Sequence, residues 1–140
     1  MSLPRRIVLD AWALLALIFG EEPAAGKVKS LIEQYGAKSY AVHISWINVG
    51  EVFYTIARKK GMETAEAVLQ DILELPARFH EPGRDDVLAA SRIKATHRLS
   101  YADAFAVSLA GRQEAAVCTG DPEILALEEA FKVIRLSRKH

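Results

Sequence analysis

Ile7-Val8-Leu9-Asp10-Ala11-Trp12-Ala13-Leu14-Leu15-Ala16-Leu17 decides the fold. Ile7 to Asp10 reads as a buried strand closed by a single charge, and the apolar run from Trp12 to Phe19 reads as the helix it feeds. The same order recurs downstream. A helix is expected from Ala24 to Tyr35 and a strand from Ser39 to Val42, after which Ser45 can cap a long helix reaching Lys60. In that helix Val49, Val52, Phe53 and Ile56 make one apolar stripe, and Gly61 stops it. Glu63 to Leu75 is amphipathic, Ala77 to His80 is a short strand, and Asp85 to Thr96 is a helix after the Pro82-Gly83 turn. Tyr101 to Arg112 continues as helix, Ala115 to Thr119 as strand, Pro122 to Ala130 as helix and Lys132 to Leu136 as strand. Strands alternating with helices predict an α/β fold with a mostly parallel sheet and helices on both faces. In such sheets ligands bind at the carboxyl ends of the strands, near the point where strand order reverses.

Composition narrows the function classes. The 140 residues carry 18 Lys plus Arg and 18 Asp plus Glu, a formal charge of zero, so no global basic excess advertises nucleic acid or membrane. A 51% hydrophobic share supports a folded core, and the absence of repeats or linkers points to one domain spanning residues 1–140. Arg5 and Arg6 before the apolar run Ala11 to Phe19 imitate an export signal, but Asp10 interrupts it and Gly20-Glu21-Glu22-Pro23 replaces a cleavage site. Nine residues are also too few to cross a bilayer, which takes about 20. A cytoplasmic location without membrane contact is the expectation. The single cysteine, Cys118, suits a reducing compartment and reads as inert core.

Four acids stand apart from the other charges. Asp10 is the only charge between Ile7 and Phe19, Glu51 the only one between Ala41 and Ala57, and Asp103 the only one between Leu99 and Leu109. Asp121 follows the uncharged run Ala115 to Gly120. An ionised carboxylate among apolar residues is costly unless paired or bound to a cation. Local roles are open for three of them: Asp10 as a helix cap, Asp103 in a capping box with Ser100, and Asp121 in a turn that caps the next helix. Glu51 has no such role in mid-helix. An ion pair with Arg58 is its best local alternative, and the neighbouring Gly50 suggests close approach of backbone or ligand. Carboxylates without a Cys or His cluster make a hard oxygen site suited to Mg²⁺ or Mn²⁺. His43, His80, His97 and His140 are too scattered in sequence to suggest a site.

Together, Ile-Val-Leu-Asp10-Ala-Trp-Ala-Leu-Leu-Ala-Leu, Asn48-Val-Gly-Glu51-Val, Leu99-Ser-Tyr-Ala-Asp103-Ala-Phe-Ala and Thr119-Gly-Asp121 resemble the PIN-domain ribonucleases. Within these the chain is most similar to the compact VapC-type toxins of toxin-antitoxin pairs. The resemblance implies a three-layer α/β/α domain and a metal-binding catalytic quartet of Asp10, Glu51, Asp103 and Asp121. It implies Mg²⁺- or Mn²⁺-dependent hydrolysis of RNA, a cognate antitoxin as protein partner and a homodimer. Thr119 matches the Thr-x-Asp motif, as a supporting hydroxyl or as an ordinary strand-end threonine. Ala11 and Trp12 depart from the family, where Ser or Thr often follows the first Asp.

RNA-backbone contacts are expected from Arg58, Lys59 and Lys60 and from Arg92, Lys94 and Arg98, although any one of them also suits a solvated helix end. The faces of Trp12 to Phe19 and Trp46 to Tyr54 are candidates for partner binding or for core. Two other functions stay open: a catalytically weak PIN-like module binding RNA or protein, and a DNA- or structure-specific nuclease. A dehalogenase-type phosphotransferase is disfavoured because it needs a second Asp where Trp12 stands. Setting the quartet aside leaves 18 basic residues against 14 acids, a net of +4, so neutrality describes a basic body around an acidic site.

Overall fold

The computed structural model describes residues 4–38 and 40–139. Its sheet contains β1 (Ile7–Leu9), β2 (Val42–Ser45), β3 (Arg78–His80), β4 (Ala116–Thr119) and β5 (Val133–Arg135), in the order β3-β2-β1-β4-β5. Every pairing is parallel. Parallel strands require crossover connections, and seven helices among the described residues run between them. These are α1 (Ala11–Phe19), α2 (Ala24–Gly36), α3 (Trp46–Lys60), α4 (Met62–Leu73), α5 (Arg84–Thr96), α6 (Tyr101–Gln113) and α7 (Pro122–Leu125).

Side chains alternate across the pleat, and the two cores follow from that alternation. Ile7, Leu9, Val42, Ile44 and Cys118 face a layer formed by α1 to α4, including Leu14, Val28, Val52 and Ile56. Val8 and Val117 face the opposite layer, with Ala90 of α5, Phe105 and Leu109 of α6 and Ile124 of α7. The result is three layers, α/β/α. The expected apolar stripe of α3 is in place, with Val49, Val52 and Ile56 buried and Phe53 partly so. Cys118 is fully buried, and burial pushes its thiol well above the usual range, so it is inert core as expected.

Two elements differ from expectation. The second strand runs from Val42 to Ser45 rather than from Ser39 to Val42. Tyr40 adopts φ 60° and stays 65% exposed, so the chain turns there before it can join β1; Ser39 lies outside the described residues. Ser45 closes β2 and also caps α3, its Oγ accepting the Ile47 N–H at 3.2 Å. The expected helix from Pro122 to Ala130 ends at Leu125. The chain then tightens, with Leu127 N–H donating to Ile124 O at 2.9 Å and Glu128 N–H to Leu125 O at 3.3 Å.

Strand order reverses at β1, which leads to β2 on one side and is joined by β4 on the other. The crevice between the carboxyl ends of β1 and β4 is therefore where a ligand site belongs.

Candidate active site

Asp10 follows β1 directly and is fully buried. Its Oδ1 accepts the Ala13 N–H at 2.8 Å and so caps α1, while Oδ2 has no hydrogen-bond partner. The local role and the free oxygen thus coexist on one side chain. Burial raises the Asp10 carboxyl to about 7; the Thr119 hydroxyl and the Ala13 amide oppose that rise, and the charges of Asp121 and Glu51 add to it.

Asp103 lies in the first turn of α6 and is 5% exposed. Its N–H donates to Ser100 Oγ at 3.1 Å, and its Oδ2 is again without a partner. Burial, then the charge and carboxyl contact of Asp121, then Asp10, raise its carboxyl to about 8. Asp121 is brought in by β4 and the turn after it. Its N–H donates to Thr119 Oγ1 at 2.9 Å, and its own Oδ1 caps α7 by accepting the Glu123 N–H at 2.9 Å. The fully buried Thr119 hydroxyl therefore accepts from Asp121 and acts on Asp10, linking two of the acids. Glu51, half-buried on α3, is raised by burial and by Asp121.

Of the four acids singled out from sequence, Asp121 raises the other three and Asp10 feels Glu51 as well, while only Asp103 and Asp121 belong to the group of closely spaced oxygen donors. Among the described residues no Lys or Arg forms a salt bridge with any of them. Buried carboxylates without a cationic partner must hold protons or a metal. The unpartnered Asp10 Oδ2 and Asp103 Oδ2 and the all-oxygen donor set fit a hard divalent cation. Asp103, Asp121 and Glu123 each offer an oxygen within 4.8 Å of the others, a group that can hold an ion.

Glu123 was not among the residues expected at the site. Its signal was the Asp121-Pro122-Glu123 spacing, since a proline-led first turn carries both acids at one helix end. Asn48 was also passed over. It is fully buried on α3, donates from Nδ2 to Ala102 O at 3.3 Å and has an unpartnered Oδ1, so it fixes the Glu51 helix against the Asp103 helix.

Other expectations are corrected. A Cβ at Gly50 would meet nothing within 4 Å, so no close approach of backbone explains that glycine. Arg58 does not pair with Glu51; its guanidinium lies over the Tyr54 ring at 5.1 Å. Lys59 and Lys94, expected at an RNA backbone, are both exposed; Lys59 sits over Phe19 at 5.5 Å and Lys94 Nζ donates to Leu99 O at 2.9 Å, contacts that do not test that expectation. Two of the scattered histidines meet, His43 Nδ1 and His80 Nε2 being 2.7 Å apart. They lie on adjacent strands, where β2 and β3 pair. His140 lies outside the described residues.

Comparisons with known proteins agree with this architecture. VapC20 of Mycobacterium tuberculosis, a Sarcin-Ricin loop cleaving toxin, superposes with a TM-score of 0.73 at 21% identity, covering 92% of this chain and 98% of that one. DNA-bound VapBC from Salmonella typhimurium gives 0.71 at 14% identity, over 96% and 98% of the chains. FitAcB from Neisseria gonorrhoeae gives 0.66 at 14% identity, over 92% and 96%. At these identities the likeness is one of fold. No curated protein matches the sequence. The PIN domain matches residues 7–130, a span that includes both unpaired carboxylates and the crevice between them, and the chain belongs to the PIN-domain family.

Proposed function

We propose that this protein is a Mg²⁺- or Mn²⁺-dependent endoribonuclease and the toxin of a toxin-antitoxin pair, acting in the cytoplasm. The observation that carries the reading is the group of mutually repelling carboxylates around the ends of β1 and β4, two of them, Asp10 and Asp103, buried with an unpartnered oxygen, and none with a basic partner among the described residues. A binding surface for an anionic backbone has no use for converging negative charge. A cation site does.

Asp10, Glu51, Asp103 and Asp121 are the proposed ligands and catalytic groups, with Glu123 joining Asp103 and Asp121. When bound, a divalent cation supplies Lewis-acid charge at a phosphodiester and activation of a water. The chain's own residues do the positioning. Thr119 ties the Asp121 amide to the Asp10 carboxyl. Ser100 holds the start of α6 and thereby aims Asp103. Asn48 keeps Glu51 and Asp103 in register. Asp103, whose carboxyl is raised to about 8, can hold a proton near neutrality until a cation displaces it.

RNA is the proposed substrate because RNA is read mainly at unpaired sites, and because the fold neighbour VapC20 is a toxin that cleaves the Sarcin-Ricin loop. The VapBC and FitAcB neighbours support a cognate antitoxin as partner, and a homodimer is proposed by analogy with the family. The test is cleavage of a structured RNA by the purified protein with Mg²⁺ or Mn²⁺, alongside Asp10→Asn and Asp103→Asn. Cleavage by the wild type that both variants lose supports the reading, whereas wild-type-like cleavage by both overturns the assignment of the quartet. Expression alone should arrest growth, relieved by the adjacent antitoxin; harmless expression of an active enzyme contradicts the toxin role.

A further inference from the structure

Trp12 stands where the family often has a hydroxyl, and the structure gives it a different kind of neighbour. A Cβ at Gly120 would lie 2.4 Å from the Trp12 ring, so only glycine admits the ring at that point. Gly120 stands between Thr119 and Asp121, and Trp12 follows Asp10 by two residues, so the indole packs against the turn that carries Asp121. The guanidinium of the exposed Arg138 lies over the Trp12 ring, 5.2 Å from its centroid. A cavity of about 430 Å³ opens there, lined by Trp12, Gly120, Pro122, Leu125, Arg135 and Arg138. That size suits a small planar ligand.

Both arginines already have carboxylate partners, Arg138 with Glu21 at 3.0 Å and Arg135 with Glu128 at 2.7 Å. Their charge is balanced, so a free anion is poorly recruited. What the cavity offers is an indole, a guanidinium lying over its ring and the apolar side chains of Pro122 and Leu125 in the lining. Unstacked nucleobases are bound on such planes, by aromatic rings and by arginine alike.

We infer that Trp12 and Arg138 form a stacking platform for a nucleobase flanking the phosphodiester that the acidic site cuts. This rests on the nuclease reading for the cutting but not for the binding. Stacking tolerates any base, so the platform sets affinity and strand position more than sequence.

The test uses the whole chain with Trp46→Phe, which leaves Trp12 as the only tryptophan of the two, and with Asp103→Asn to prevent cleavage. Hexaadenylate, hexauridylate and an abasic ribose-phosphate hexamer are titrated in Mg²⁺. The base-bearing hexamers should quench Trp12 fluorescence saturably, and the abasic one should not. In anisotropy titrations with labelled hexamers, Arg138→Ala and Trp12→Ala should each weaken binding roughly ten- to a hundredfold, while Trp12→Tyr should keep most of it. Arg138 is exposed, so its variant retains the fold and keeps the test decisive. Equal quenching by the abasic hexamer, or unchanged affinity in Arg138→Ala and Trp12→Ala, overturns the platform even if the wild type cuts RNA. Base-dependent quenching in a protein that cuts no RNA upholds the platform and removes only the nuclease reading.

Discussion

Asp10 does two jobs with two oxygens. Oδ1 caps α1 through Ala13, and Oδ2 is buried without a partner. Asparagine is as good a cap as aspartate, so Asp10→Asn should leave α1 intact while removing the charge. Because that charge is raised in pKa by burial and by Asp121 and Glu51, its removal should also stabilise the cation-free protein. Thermal unfolding in EDTA checks this, and a lower midpoint for Asp10→Asn contradicts it. A milder effect is expected at Glu123, which is exposed and one of three oxygen donors within 4.8 Å. Glu123→Gln should raise the Mg²⁺ concentration needed for half-maximal cleavage without abolishing it. The isolated acids were legible because an unpaired charge inside an apolar run is visible in sequence. Glu123 was not, since it reaches the site only through the turn that Asp121 caps.

Helix α3 links the core to the site. Ser45 starts it, Val52 and Ile56 anchor it and Asn48 clamps it to α6, which together place Glu51 beside the other acids. Ile56→Ala should cost about 2–5 kcal/mol, the range for opening a cavity at a fully buried isoleucine. Ser45→Ala should cost about 1 kcal/mol through loss of its cap. Denaturant titration measures both, and equal costs would contradict the view that packing rather than capping holds α3. Periodicity and caps made α1, α3 and α6 readable to within a residue or two. The start of β2 was hidden because it depends on the left-handed turn at Tyr40, a tyrosine that carries no turn signature. The His43 and His80 contact was hidden for another reason. It depends on the parallel register that pairs Ser45 with His80 and His43 with Arg78, which spacing along one chain does not encode.

The molecule as a whole combines opposing titrations. Burial raises Asp10 to about 7 and Asp103 to about 8 from 3.8, so the native state binds more protons than the unfolded chain across that range and stability falls as pH rises. His80, lowered by burial and by His43 to about 4 from 6.5, binds more protons when unfolded, so its contribution rises with pH over that lower window. Between pH 6.5 and 8 the acids dominate. The cation-free protein should therefore have a lower melting temperature at pH 8 than at pH 6.5, and saturating Mg²⁺ should narrow that gap by binding the ionised acids. A melting temperature flat in both pH and Mg²⁺ would contradict this. The zero net charge follows the same logic, as a basic body around an acidic crevice whose charge two bound divalent cations would cancel. The central claim, that the end of this sheet is a divalent-cation site, is tested most directly by Mn²⁺ binding to the purified protein, followed by calorimetry or by the loss of free-ion paramagnetic signal. The account predicts saturable binding by the wild type that Asp103→Asn weakens at least tenfold; equal binding by the two proteins would contradict it.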